Sequence, residues 1–260
     1  MIVNGGRAGG VDYNAKPRIT YDGKWTGWYL EVYDGTPYWE ALFSTSGHLV
    51  ALADYTCDAW GIGGGGAGAS VYNGGYLYGT GGGSGFTNMS TGLSIAAGGH
   101  HITIGEGGKN FTDGGYSNRA DSGTATTFLE LTCNGGQGGL NEAEEYVNDH
   151  NYPQAEGGSA GGTTIKDAGE NGTPGAGKIM SKFWSVEHNT DYGARGEKSR
   201  SNGGNGGGGG GFKSMFDGAL HAGQGYGGGG SGTAQYGGTK PSYIRFAGCD
   251  GCLIIRIKAE

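Results

Sequence analysis

Residues 61–68 read GIGGGGAG, and they follow directly on an aromatic, strand-forming stretch that ends at Trp60. Two further runs, GGNGGGGGG at 203–211 and YGGGGSG at 226–232, repeat the theme without a fixed period. In all, 64 of the 260 residues are glycine. Glycine loses the most conformational freedom on ordering and fills no core. A folded chain of this kind is held by its backbone, with its side chains relegated to loops. That suits presenting a surface better than shaping a catalytic pocket.

Such runs can be ordered as extended polyglycine II helices, with three residues per turn and a rise of about 3.1 Å per residue. Their N–H and C=O groups point outward, so neighbouring helices bond to one another, and only chains without Cβ atoms approach closely enough. Cα–H···O contacts add a little more. A nine-residue run would span roughly 28 Å. The alternative, a series of floppy glycine linkers, sits poorly with the apolar segment LIIRI near the C-terminus, because a linker has no reason to end in a buried strand.

Composition separates the chain from disordered and fibrous classes. Aromatic residues make up 11% and charged residues only 16%, whereas disordered segments are poor in aromatics and rich in charge. There is no Gly-X-Y register and there are only 5 Pro, so collagen is excluded. The net charge is −7 with no basic block, which argues against a nucleic-acid partner. MIVNGGRAGG lacks the layout of a signal peptide and no apolar run reaches membrane-spanning length. The expectation is synthesis in a cytoplasm, without membrane insertion.

The first 60 residues carry four of the five Trp. Residues 24–33 (KWTGWYLEVY), 38–45 (YWEALFST) and 48–55 (HLVALADY) are strand-like, with Asp34-Gly35 and Ser46-Gly47 supplying turn chemistry. Further strand-like pieces stand at 92–105, 126–133 and 252–258. The fold class expected is mainly β and irregular. A small N-terminal β-domain over residues 1–55 precedes a glycine-rich domain over 56–260, with packed polyglycine II helices, long surface loops and a closing C-terminal strand. The loops are expected at 72–80, 109–125, 140–156, 178–202 and 212–226, with a turn or two of helix within 140–149.

Motifs for chemistry are weak. Gly172 to Lys178 fits G-x-x-x-x-G-K, but Ile179 stands where a P-loop needs Ser or Thr, and no buried strand precedes it. Cys249-Asp-Gly-Cys252 is a lone CxxC before an apolar strand, without a second ligand pair or a helix to activate it. Small packed thiols are the favoured reading. His100-His101 should point to opposite faces of a strand, and His48, His150, His188 and His221 are scattered, so no metal site is expected. Glu142, Glu144, Glu145 and Asp149 form an acidic loop, a poor frame for paired catalytic carboxylates. Neither a cofactor nor an enzymatic activity is expected.

The insertions are rich in aromatic and polar residues: Tyr72, Tyr76 and Tyr78, then Phe111 and Tyr116, then Tyr146 and Tyr152. Phe183, Trp184, Tyr192, Phe212 and Phe216 follow in the later insertions. Rigid aromatics beside small polar residues make effective contact surfaces. Some would cap the glycine bundle, and those nearest the loop tips would meet a ligand.

The order of these pieces resembles a known family. YWEALFSTSGHLVALADYTCDAWGIGGGGAGA is followed by GLSIAAGGHHITIGEGG, by LTCNGGQGG, and by the closing GCLIIR. This is similar to the glycine-rich domain of bacteriophage tail fibres and tailspikes, and to the polyglycine II tip adhesins of T-even-type phages. The resemblance covers about residues 38–258. It implies a virion tail-tip protein that recognises a host cell-surface protein or glycan without turnover, through the five insertions, with the twelve aromatics named above as the candidate contact residues. Residues 1–55 would attach it to other phage tail proteins, either as a trimer or as a cap on a trimeric fibre. The departures are a short N-terminal part, long insertions at 140–156 and 178–202, and a CxxC where the family has Gly and Ser. A virion structural component, a polysaccharide-degrading spike and an ice-binding protein are the other classes considered.

Overall fold

A computed structural model describes residues 15–33, 35–69, 71–73, 76–78, 82–109, 120–139, 156–157, 163–165, 168–170, 226–230, 235–236 and 247–260. Two five-stranded antiparallel sheets dominate. The first has the order β1 (Ile19–Tyr21), β4 (Gly47–Ala51), β9 (Gly98–Thr103), β10 (Thr126–Phe128), β11 (Leu131–Cys133). The second has the order β2 (Tyr29–Tyr33), β3 (Thr36–Phe43), β15 (Cys252–Lys258), β5 (Tyr55–Ile62), β8 (Thr87–Ile95). Among the described residues every regular element is a strand, as the mainly-β expectation held.

Strand alternation builds the core. Phe43, Leu49, Leu93, Ile95, Ile102, Phe128, Leu253 and Ile255 are fully buried in one cluster drawn from both sheets. The T-shaped pair of Tyr21 on Phe43 and the stacked pair of Trp25 on Phe43 close its rim. β15 explains the continuous apolar run LIIRI: it lies between β3 and β5, and residues 252–257 are all buried, on both faces of the strand. Leu253, Ile255 and Ile257 enter the main core, while Cys252 and Ile254 pack with Trp60 and Ile62 on the other face. Arg256 is buried on that second face. It pairs with Asp58 at 3.0 Å and lies against the Tyr38 ring, 4.2 Å from its centroid.

One sequence expectation is adjusted here. β2 and β3 do pair as a hairpin, with Tyr33 opposite Thr36 and Gly35 at φ 75°, while Asp34 lies outside the described residues. Ser46-Gly47, in contrast, joins strands of different sheets, because β4 pairs with β1 and β9 and not with β3. The division expected between residues 55 and 56 falls at the start of β5, and the closing strand shares a sheet with the N-terminal ones.

Beyond the sandwich the chain continues as glycine segments bonded backbone to backbone. Residues 63–69 continue β5, and 82–86 lead into β8. Residues 104–109 continue β9, and 120–125 lead into β10. Residues 134–139 continue β11, and 247–251 lead into β15. The N–H groups of Gly63, Gly64 and Gly65 donate to Phe86, Thr124 and Cys249 at 2.9–3.1 Å. Gly66 and Ala67 then return to Gly83 and Asp121. In the other direction, the carbonyls of Gly64, Gly65, Gly66 and Ala67 accept from Gly136, Gly108, Gly230 and Gly139. The partner segment thus recurs every third residue, and residues 63–69 bond to six neighbours.

Those six also bond to one another in a closed circuit. Gly82 and Gly85 donate to Gly230 and Gly227; Cys249 donates to Gly228; Gly248 and Gly251 donate to Gly108 and Gly105. Thr124 donates to Glu106, Ala120 and Gly123 to Gly139 and Gly136, and Gly83 and Phe86 to Gln137 and Asn134. Spacing leaves no room for side chains at the centre. A Cβ on Gly64, Gly65 or Gly66 would lie 2.0–2.1 Å from a carbonyl oxygen of Glu106, Gly228 or Gln137. Ala67 and Ala69 are tolerated where they pack with Ala120.

Candidate functional site: the far end of the glycine bundle

Register decides where the insertions emerge. The bonds Gly63 to Phe86, Phe86 to Asn134 and Gly251 to Gly105 lie next to the sheets. The bonds Ala67 to Asp121, Ala120 to Gly139, Gly82 to Gly230 and Gly248 to Gly108 lie further out along the segments. The chain therefore leaves and re-enters at this far end for the intervals 70–81, 110–119 and 231–246. It also leaves there for 140–155, returning at Glu156, whose carbonyl accepts from Gln137.

The frame is larger than the sequence reading allowed. The insertion expected over 109–125 is shorter, because residues 120–125 belong to the bundle. Ala120 is buried there, and Asp121 and Thr124 serve as backbone acceptors. At the sheet-proximal end two carboxylate and hydroxyl side chains brace the segments. Asp250 Oδ1 accepts the Gly107 N–H at 2.8 Å, and the Thr126 hydroxyl joins two segments.

Of the twelve candidate aromatics, Tyr72 stands in β6 (Val71–Asn73), and Tyr76 and Tyr78 stand in β7 (Tyr76–Tyr78). These strands pair with each other and with β14 (Gln235–Tyr236) in a three-stranded sheet. Tyr76 is opposite both Asn73 and Tyr236, and Tyr72 is opposite Leu77. Two separate insertions, 70–81 and 231–246, are thereby joined. Tyr236 was missed by the sequence reading, since its strand is two residues long and is fixed only by its partner. A further hairpin joins β12 (Thr163–Ile165) to β13 (Ala168–Glu170). Phe111, Tyr116, Tyr146, Tyr152, Phe183, Trp184, Tyr192, Phe212 and Phe216 lie outside the described residues. So do the helical turn within 140–149, the acidic loop and the Gly172–Lys178 match.

None of the four cysteines is in a disulfide, and Cys57, Cys133 and Cys252 are buried. Burial pushes Cys57 and Cys133 up to about 12, and burial with the Asp250 charge pushes Cys249 up to about 11. Cys252, fully buried, is raised in the same way by burial, with Cys133 adding to it. Neutral thiols in such surroundings are inert fillers, which suits the CxxC at the start of β15.

No curated protein sequence matches the chain. The family model described as the glycine-rich domain matches residues 46–258, which takes in the sandwich strands from β4 onward and the whole bundle. The chain belongs to the glycine-rich domain family.

Proposed function

We propose that this protein is the receptor-binding tip of a bacteriophage tail fibre or tailspike, an adhesin that reads a host surface protein or glycan through loops held at one end of a glycine frame. The carrying observation is that four insertions leave the bundle at the same end, two of them joined by the β6–β7–β14 sheet. A backbone-bonded block tolerates change in its loops, because its stability does not depend on their side chains.

The frame itself reads as packed polyglycine II helices. Partner exchange every third residue, bonding to all neighbours and exclusion of Cβ atoms are what a three-residue helix without internal bonds requires. Residues 1–55 would attach the tip to other tail proteins, in a trimer or on a trimeric fibre. This suits the approach of the chain to β1 at the sandwich end remote from the bundle, where Ile19 is opposite Ala51. Recognition proceeds without turnover, and the working location is the virion tail tip.

The test is binding of fluorescently tagged full-length protein to a panel of bacterial strains, beside a variant with residues 140–155 replaced by a short Gly-Ser linker. Strain-selective binding by the parent supports an adhesin, and its loss in the variant assigns those residues to the reading surface. Folded parent protein that binds no strain would overturn the reading and favour a structural tail component.

A further inference from the structure

Outside the bundle, one cluster of ligating side chains stands on the open face of the first sheet. His48 in β4 is directly opposite His101 in β9, and the two imidazole rings are 5.0 Å apart between centroids. Both side chains are exposed to solvent. Their neighbour His100 is turned to a different task, with its Nε2 2.7 Å from the Ala96 carbonyl.

Asp22 orients one of the two rings. Its Oδ1 accepts the backbone N–H of His48 at 2.6 Å, and its Oδ2 stands 3.4 Å from Nδ1 of the same residue. Space for this carboxylate is reserved by glycine: a Cβ on Gly47 would come within 2.4 Å of Asp22 Oδ1. With Nδ1 turned to a carboxylate, Nε2 of His48 is the nitrogen left to bind, the carboxylate–histidine arrangement that accompanies metal-bound imidazoles.

We propose that His48 and His101 form a two-imidazole site for a late first-row divalent ion such as Zn²⁺, Ni²⁺ or Cu²⁺, with Asp22 positioning His48. The span fits. With metal–nitrogen distances of about 2.0–2.1 Å, an ion bridging two imidazoles at roughly 100° sets their centroids about 5 Å apart. Imidazole ligands select these metals over magnesium or calcium. Among the described residues no set of three or more His, Cys, Asp or Glu is arranged as a metal cage. The remaining coordination positions therefore belong to water or to an external donor. The site is independent of the adhesin reading.

The experiment is calorimetric titration of NiCl₂ and ZnCl₂ into full-length protein without a histidine tag, paired with EPR of the Cu²⁺ complex. The parent should bind one ion saturably, with two imidazole nitrogens in the EPR pattern. His48→Gln and His101→Gln should each weaken binding at least tenfold, and Asp22→Asn about tenfold. His100→Gln should bind like the parent, and unchanged circular dichroism would show that all four variants fold. Absence of saturable binding by the parent, or binding that survives the His48→Gln/His101→Gln double variant, would overturn the proposal.

Discussion

The hydroxyl of Thr126 donates to the carbonyl of Ile62 at 2.8 Å, at the level where the sandwich gives way to the glycine bundle. The same oxygen accepts the N–H of Gly105 at 2.9 Å, and Thr126 is fully buried. One side chain thus ties the ends of β5 and β9 to the start of β10. Thr126→Val keeps the shape and loses both bonds. It should destabilise the protein by about 2–4 kcal/mol in urea unfolding, because buried polar groups lose their partner. Thr126→Ser keeps the hydroxyl and should cost only about 1 kcal/mol.

Close backbone approach makes a sharp contrast between glycines. Gly65→Ala would push a Cβ to 2.1 Å from the Gly228 carbonyl oxygen in the middle of the bundle. The neighbour is backbone held on several sides, so a loss of about 3 kcal/mol or more is expected. Gly99 lies in β9 with nothing within 4 Å of its would-be Cβ. Gly99→Ala should stay within about 0.5 kcal/mol of the parent. Equal melting shifts for the two would contradict the packing described above.

Alkaline pH should destabilise the fold through its thiols. Cys57 and Cys133 titrate near 12 in the folded chain because of burial, against about 8.5 when exposed. The folded state therefore holds more protons than the unfolded state above about pH 8.5, and stability must fall as pH rises. Their contribution is fully present below that pH and is lost progressively up to about 12. Urea midpoints measured between pH 7 and 10 should decrease, and less steeply in Cys57→Ala. Ellman's reagent should label the native thiols slowly and the denatured ones at once.

Leu129 has φ 50° in the two-residue turn between β10 and β11. A branched side chain in the left-handed region costs about 1–2 kcal/mol. In a two-residue hairpin with positive φ at its first central position glycine is the favoured residue. Leu129 is also 39% exposed, so little packing is lost on its removal. Leu129→Gly should raise stability by about 1 kcal/mol, read as an upward shift in the urea midpoint.

Much of the architecture could be read from local chemistry. Aromatic and β-branched composition marked β2 and β3, a continuous apolar run marked β15, and Asp34-Gly35 marked a hairpin turn, because these signals act over a few residues. The glycine runs announced backbone-to-backbone packing, since no other use of Gly63 to Gly66 is compatible with order. Residues 82–86, 104–109, 120–125 and 247–251 were harder to recognise as part of the same block. Each mixes its glycines with Ser, Phe, Glu, Lys, Thr, Asp or Cys, so none reads as a glycine run.

By itself, then, the sequence determined that this chain is a β protein whose glycine segments at 63–69 and 226–230 can bond through their backbones, because the absence of Cβ atoms is a local property. Only the tertiary structure decided which segment sits at the centre, which end of the bundle releases the insertions, that Tyr76 meets Tyr236, and that His48 meets His101. Those pairings join residues 53 to 160 positions apart. Glycine segments of nearly identical chemistry carry no code for choosing neighbours. The choice is made by the strands that lead into them, whose register is set by burial between the two sheets.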